Sequence, residues 1–252
     1  MLVEIEGSRF TTSDEDANFW QLVNANTWEP ATFRAIASRI SKDTTFFDFG
    51  AWIGPITLFA ASRCAKVYSF EPDPVAARKL RENIALNPEF SSRIEFFEKA
   101  VWPVSKRLTF GARHAQGDSM SSVLHTKSDV TWEVDVVTPE DITALAQTKG
   151  PLFIKIDIEG SEYDVIPAMR DLLMSRPDIS VLVSFHPRFA AGGHPRWHKT
   201  IPITKRVFEC FQGFSVYQVH KKTFRRTLVL ETLNNMGLGF FETRLSYMFV
   251  KK

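Results

Sequence analysis

Asp48-Phe49-Gly50-Ala51-Trp52-Ile53-Gly54 is the stretch on which the fold of this chain turns. The run before it, Thr44 to Phe49 (TTFFDF), is dense in β-branched and aromatic residues and reads as a strand. Gly50 breaks it, and a helical pattern follows from Pro55 to Cys64, with Pro55 suited to a first helical position. Gly50 lets the backbone turn tightly and approach a ligand with no Cβ in the way, and Gly54 lets the helix pack close to the sheet. A dinucleotide fold would want G-x-G-x-x-G here; this chain has G-x-x-x-G preceded by an acid, and it carries no P-loop pattern. The turn, Ala51 included, suits a ligand without a pyrophosphate, whose positive amino-acid end meets Asp48.

Working outward, Lys66 to Glu71 (KVYSFE) is a second strand. Asp73 caps the next helix, Pro74 takes its first position, and Ala76, Leu80 and Ile84 share one face. Arg93 to Phe97 is a third strand. Glu71 ends the second strand about 20 residues beyond the glycine turn, where a carboxylate accepts two hydrogen bonds from a ribose diol; taken alone it would be an ordinary exposed strand-end acid. Pro72 stiffens the turn beneath the ribose. Glu98, Lys99 and Ala100 end the third strand on the same edge, where an adenine ring would lie.

Residues 104–137 break the rhythm as a β-rich excursion around the polar loop GDSMSS, whose Ser119, Ser121 and Ser122 either cover the ligand or belong to a plain loop. Thr138 caps a further helix. Leu152 to Asp157 (LFIKID) and Ile179 to Phe185 (ISVLVSF) are the fourth and fifth strands, with a helix over 161–175 between them. A Pro/Gly/His loop at 187–200 and a helix near 203–212 lead to FSVYQVH, and LSYMFV closes the chain; both strands suit the sheet edge, and the basic stretch 220–226 reads as a solvated loop. Alternating strands and helices predict an α/β fold with a parallel, Rossmann-like sheet and helices on both faces. The chain has 252 residues, the length of one large domain. We divide it into an N-terminal helical lid or extension at 1–43, a ligand-binding core at 44–186, and a substrate-side loop with the C-terminal strands at 187–252. Trp20 and Trp28, in the extension, either form a lid or plug the core.

Composition narrows the partners. Lys plus Arg number 31 against 29 Asp plus Glu, which gives no electrostatic reason to expect nucleic acid. Hydrophobic residues make up 44%, enough for a sizeable core, to which most of the 22 Phe belong. The two cysteines, Cys64 and Cys210, form no CxxC pair and suit a reducing compartment. The opening MLVEIEGSRF has early acids and no apolar core, so it is not read as a signal peptide, and no run approaches the ~18 apolar residues of a membrane span. A cytoplasmic protein is expected.

DFGAWIGPITL, SFEPDP, LRENIALNP, KAV and above all IKIDIEGSEYDVI resemble the FkbM family of S-adenosylmethionine-dependent methyltransferases. The resemblance runs over about residues 28–186, from Trp28-Glu29-Pro30; Thr138-Pro139-Glu140-Asp141 departs from it, and nothing after His186 matches. It implies a class I methyltransferase fold, a mostly parallel seven-stranded sheet with its last strand antiparallel. It also implies S-adenosylmethionine as cofactor, S-adenosylhomocysteine as product, and O-methylation of a sugar, glycan or secondary metabolite. The cofactor residues are then Asp48, Gly50, Ala51, Gly54, Glu71, Pro72, Lys99, Ala100 and Asp157.

Methyl transfer from a sulfonium is an in-line displacement that needs alignment and often a base. The acceptor side should lie at the carboxyl ends of the fourth and fifth strands. Lys155, Asp157 and Glu159 alternate there and point to one side if the strand persists. Lys155 would sit deepest and pair with an acid, and Asp157 would contact the cofactor amine or the substrate. Glu159 and Glu162 follow at the helix start, where the dipole also favours acids. His186, ending the fifth strand, is either a general base or a hydrogen-bonded structural histidine. His186, His194 and His198 invite a metal reading, but no acid adjoins them on the fifth strand, so no metal is expected. The expected partner is a small-molecule or glycan acceptor. The competing readings are a methyltransferase acting on RNA or protein, which lacks a basic domain here, and an inactive cofactor-binding module, which would show damage to the glycine turn or to Glu71.

Overall fold

A computed structural model of the chain describes residues 1–112, 116–117, 128–190, 197–220, 223–227 and 245–251. The chain opens with an antiparallel hairpin, β1 (Leu2–Ile5) and β2 (Ser8–Thr11), followed by helices α1 (Ala17–Asn24) and α2 (Pro30–Ala37). The segment expected to be a helical extension therefore also contains a hairpin. Strand, helix and strand then alternate: β3 (Thr45–Phe49), α3 (Pro55–Ala61), β4 (Lys66–Phe70), α4 (Pro74–Ala85), a short α5 (Pro88–Ser91) and β5 (Ile94–Phe97). All five residues of β3 are buried, as in a parallel strand covered on both faces. Asp73 caps α4, its carboxylate accepting from the amides of Val75 and Ala76.

The excursion contains β6 (Ala100–Val101), β7 (Leu108–Gly111), β8 (Thr131–Val134) and β9 (Val136–Val137). Thr138 and Asp141 then form a capping box at the start of α6 (Pro139–Leu145). The second half runs through β10 (Leu152–Ile156), α7 (Glu162–Ala168), α8 (Arg170–Ser175), β11 (Ile179–Phe185), α9 (Pro187–Ala190), α10 (Trp197–Glu209), β12 (Phe214–His220), β13 (Thr223–Thr227) and β14 (Leu245–Lys251).

The main sheet has the order β13-β12-β14-β11-β10-β3-β4-β5. Strands β5, β4, β3, β10 and β11 are parallel, and β14 runs antiparallel between β11 and β12. These seven strands are the expected sheet, with the last strand of the chain antiparallel. Two sequence expectations are corrected here. β14 is not an edge strand but lies inside the sheet, because Tyr247, Met248 and Phe249 are all buried and need cover on both faces. The basic stretch expected as a loop instead supplies β13, an eighth strand pairing with β12; a polar strand of this kind is what an open sheet edge accepts.

Side-chain alternation sends β3 into two cores. Phe47 and Phe49 join one cluster with α6, α7, α8 and α10, while Phe46 joins another with the N-terminal hairpin and helices α1 to α3. Trp20 is fully buried in that second cluster against Phe10 and Phe19, and Trp28 packs at its margin, so Trp20 plugs the core. No helix among the described residues is long and apolar enough to cross a membrane.

Candidate active site

The carboxyl ends of β3, β4, β5 and β10 open onto one cleft. Its floor is the glycine turn. Gly50 has φ +81, and a Cβ built on it would lie 2.0 Å from the carbonyl oxygen of Asp157. The turn after β3 and the end of β10 thus touch backbone to backbone, and only glycine permits it. Gly54, at φ +100, is needed for another contact than expected: its Cβ would lie 2.5 Å from Leu80 Cδ1, so it seats α4 rather than the sheet. The amides of Gly50 and Ala51 both donate to the Phe70 carbonyl, which leaves Ala51 behind the turn.

Glu71 stands on the rim and joins the two turns. Its Oε2 accepts the Trp52 amide at 2.8 Å and its Oε1 accepts the Asp73 amide at 2.9 Å. Burial raises its pKa to about 7; the two amides pull it down, and the charges of Asp73 and Asp48 push it up again. Gly50, Glu71, Pro72, Lys99, Ala100 and Asp157, all expected from the sequence, line the cleft. Asp48 does not. It is fully buried, its Oδ2 accepting from Thr57 Oγ1 at 2.7 Å and its Oδ1 lying 3.7 Å from Lys155 Nζ. The expected contact between Asp48 and a ligand's amino group is therefore corrected: Lys155 already supplies the positive partner.

Lys155 lies between Asp48 and Asp157, with its Nζ 3.5 Å from Asp157 Oδ2. Burial works against its charge, but Asp157 and Asp48 outweigh it and raise its pKa. It is the deep, paired lysine that strand alternation suggested. The strand itself stops at Ile156, so alternation does not carry Glu159 to the same side. A turn does so, with Glu159 at φ +51.

Asp157, Glu159 and Glu162 converge on His186. Its Nδ1 is 2.9 Å from Glu162 Oε1, and its Nε2 is 3.6 Å from both Asp157 Oδ1 and Glu159 Oε2. Glu162 also accepts the Ile158 and Gly160 amides, at 3.1 and 2.9 Å, and so holds the turn that carries Glu159. Burial favours the neutral ring, but Glu162, Glu159 and Asp157 together overcome it and raise the His186 pKa to about 9. The ring is only 2% exposed behind Asp157 and Glu159, and its hydrogen bond to Glu162 is the kind of partner that the structural one of its two expected roles calls for. The sequence found no acid on the fifth strand; the acids come from the turn after the fourth. Asp157, Glu162 and His186 place one donor atom each within 4.8 Å of one another. His194 and the serines of GDSMSS lie outside the described residues, and of His198 only the backbone is described.

Sequence reasoning missed Phe110, Trp52 and Ser161, which also line the cleft.

Sheet order, glycine turn and strand-end acid together define a Rossmann-like, class I methyltransferase fold. The Methyltransferase FkbM domain matches residues 48–219, and the chain belongs to that family of methyltransferases. Hexuronic acid methyltransferase AglP of Haloferax volcanii is 22% identical over 185 residues, covering 69% of this chain and 70% of that protein. The crystal structure of methyltransferase FkbM from Methylobacillus flagellatus KT shares the fold with a TM-score of 0.50 at 15% identity, over 97% of this chain. This chain spans 63% of that protein's length. An O-methyltransferase from Bacillus cereus in complex with SAH aligns with a TM-score of 0.45 at 13% identity, over 88% of this chain and 80% of that one.

Fold and family imply S-adenosylmethionine, and the residues present fit it. The glycine floor leaves backbone room, Glu71 puts a carboxylate on the rim, and Asp157 puts another on the cleft wall near Gly50.

Proposed function

We propose that the chain transfers the methyl group of S-adenosylmethionine to a hydroxyl of a sugar, glycan or related small molecule. The observation that carries this reading is the position of Glu71: one carboxylate spans the turns after β3 and β4 at the rim of a glycine-floored cleft, facing two further acids at the end of β10.

When bound, the cofactor supplies an electrophilic methyl group on a sulfonium. Glu71 accepts the ribose hydroxyls. Asp157, next to Gly50, meets the cofactor's ammonium, one of the two contacts the sequence offered it. Glu159 takes the proton from the acceptor hydroxyl at its carboxylate oxygen, and the His186 imidazolium steadies the charge of both acids. Alignment of hydroxyl and methyl does the rest, and such alignment supplies as much as about 7–11 kcal/mol in favourable cases. Lys155 and His186 provide the positive charge facing the carboxylates, so no divalent metal is required. EDTA should leave turnover unchanged; loss restored by magnesium would refute this point.

The sugar class is supported by AglP, a hexuronic acid methyltransferase, and the near-balanced charge of the chain gives no general electrostatic reason to expect nucleic acid. The chain acts as one domain in the cytoplasm, with 44–186 holding the cofactor and 187–252 forming the acceptor side. The test is calorimetry with S-adenosylmethionine and S-adenosylhomocysteine, followed by methyl-transfer assays on a panel of hexoses, hexuronic acids and their glycans. Binding without transfer to any hydroxyl would mark the chain as an inactive binding module. Transfer to RNA or protein alone would overturn the acceptor class.

A further inference from the structure

At the end of the sheet opposite the cleft, three neighbouring parallel strands begin side by side. Ser41 and Lys42 precede β3, the turn Ser62-Arg63-Cys64-Ala65 joins α3 to β4, and Arg93 precedes β5. These residues line a groove at the amino ends of the strands, a strand's length from Glu71 and Asp157. Three cations border it: Arg63 and Arg93 are half-buried, and Lys42 is exposed. Neutral groups hold both guanidiniums in place. Arg63 Nε donates to Ser8 Oγ at 2.7 Å, its Nη2 donates to the Glu6 carbonyl, and its guanidinium carbon lies 5.0 Å from the centroid of the Phe59 ring. Arg93 Nη1 donates to the Ala61 carbonyl at 3.2 Å. Cys64 shows how near the two arginines are to one another. Both act on its thiol to favour the thiolate, although burial outweighs them and pushes its pKa up to about 12.

Capping explains part of this arrangement, since Arg93 closes the last turn of α3 and Arg63 fastens the β1–β2 turn. It leaves the charge unanswered. A guanidinium has five N–H donors, and these bonds use only a minority of them. Among the described residues no carboxylate forms an ion pair with Arg63, Arg93 or Lys42, not even Asp43 beside Lys42 in the chain. The neighbouring Lys66, by contrast, pairs with Glu95 at 2.9 Å. Like charges gathered at a half-buried groove repel one another and have given up part of their water, so the groove favours an anion. Two planar forks and an ammonium on one groove match the oxygens of a phosphate. We propose that this groove binds a phosphate group, free or carried on a small ester such as a sugar phosphate, at a site separate from the cofactor cleft. The proposal is independent of the methyl-transfer reading, because it involves neither Glu71 nor the cofactor.

The test titrates the full chain with inorganic phosphate by calorimetry, at one pH and at an ionic strength fixed with chloride, and repeats the titration with glucose 6-phosphate. Wild type should bind phosphate saturably and gain melting temperature from it, an effect chloride should not give. Arg93→Gln should weaken binding about tenfold, the contribution of one charge-assisted hydrogen bond. Lys42→Gln, at the exposed rim, should weaken it about threefold. Saturating S-adenosylhomocysteine should leave the phosphate affinity unchanged. An ester that binds at least as tightly as inorganic phosphate would make the ester the source of the group; a weaker one would make it the free anion. No saturable binding beyond that of chloride would overturn the proposal. So would wild-type affinity in both variants, or displacement of phosphate by S-adenosylhomocysteine, because the anion would then sit in the cleft. Lys42 has no hydrogen bond or ion pair among the described residues, so Lys42→Gln should fold even where Arg93→Gln does not, and its threefold loss then decides.

Discussion

Two acidic sites share one sheet edge and differ in what faces their carboxylates. At the end of β4, Glu71 is buried and, among the described residues, accepts from two backbone amides, and burial wins: its pKa rises to about 7. At the ends of β10 and β11, the acids face Lys155 and His186, and there charge wins: the lysine and the histidine are held protonated against a burial that opposes it. Peptide dipoles soften the desolvation of a carboxylate, whereas a buried full charge of opposite sign reverses it. The first site is a carboxylate whose charge is opposed by burial, the second a cluster built around two buried cations.

The contact between the two sites is the backbone touch of Gly50 on Asp157, and breaking it should have the largest effect. Gly50→Val forces a β-branched residue into φ +81 and drives its Cβ to within 2.0 Å of the Asp157 oxygen. We expect a loss of more than about 4 kcal/mol in urea unfolding, or no soluble protein. A folded Gly50→Val with wild-type stability would show that the two strand ends do not meet. The variant cannot report on ligand access alone, because the turn is structural as well as functional.

Glu159→Gln tests the second site. It keeps shape and removes the charge, so turnover should fall by about 10²–10⁴ while S-adenosylhomocysteine affinity stays nearly constant. Full turnover would mean that the acceptor needs no base at Glu159 and that alignment suffices.

His186→Gln tests why that site stays charged. The folded pKa of His186, about 9, exceeds its unfolded value near 6.5, so its contribution is fully present below the lower value and is lost as pH rises through the upper one. The stability gap between wild type and variant should be widest at pH 6, on the order of 3 kcal/mol, and should narrow by pH 10. A gap independent of pH would remove the imidazolium from the account.

The sequence made the first site readable and the second only in part, for a physical reason. Gly50, Glu71 and Pro72 act through turns a few residues long, each following a strand whose pattern is local. Lys155 and Asp157 were legible as strand-end residues. The pairing of Glu162 with His186 was not, since it joins the start of α7 to the end of β11 across 24 residues and exists only once β10 and β11 align in parallel. Asp48 was misassigned because sequence reveals its place beside a glycine turn but not the lysine two strands' packing delivers to it. The inner position of β14 and the extra strand β13 escaped for a similar reason: order within a sheet depends on pairing between distant segments.

The smallest expected effect belongs to the first site, and it sharpens the contrast best. Glu71 titrates near pH 7 without ligand because burial opposes its charge. Ribose hydroxyls donate to a carboxylate and not to the O–H side of a carboxylic acid, so the cofactor prefers the ionised form. Binding then lowers the Glu71 pKa and releases a proton, and affinity must fall as pH drops through about 7. Between pH 8 and pH 6 the ionised fraction changes by roughly tenfold, which limits the loss to about 1.4 kcal/mol. Glu71→Gln should bind S-adenosylhomocysteine about 1–3 kcal/mol more weakly than wild type at pH 8. It should also lose this pH dependence, since an amide does not titrate. Calorimetry in two buffers of different ionisation enthalpy reads the proton release directly. A wild-type affinity flat from pH 6 to 8, or a slope that survives in Glu71→Gln, would show that the titrating group lies elsewhere on the edge and that Glu71 enters the cofactor site already ionised.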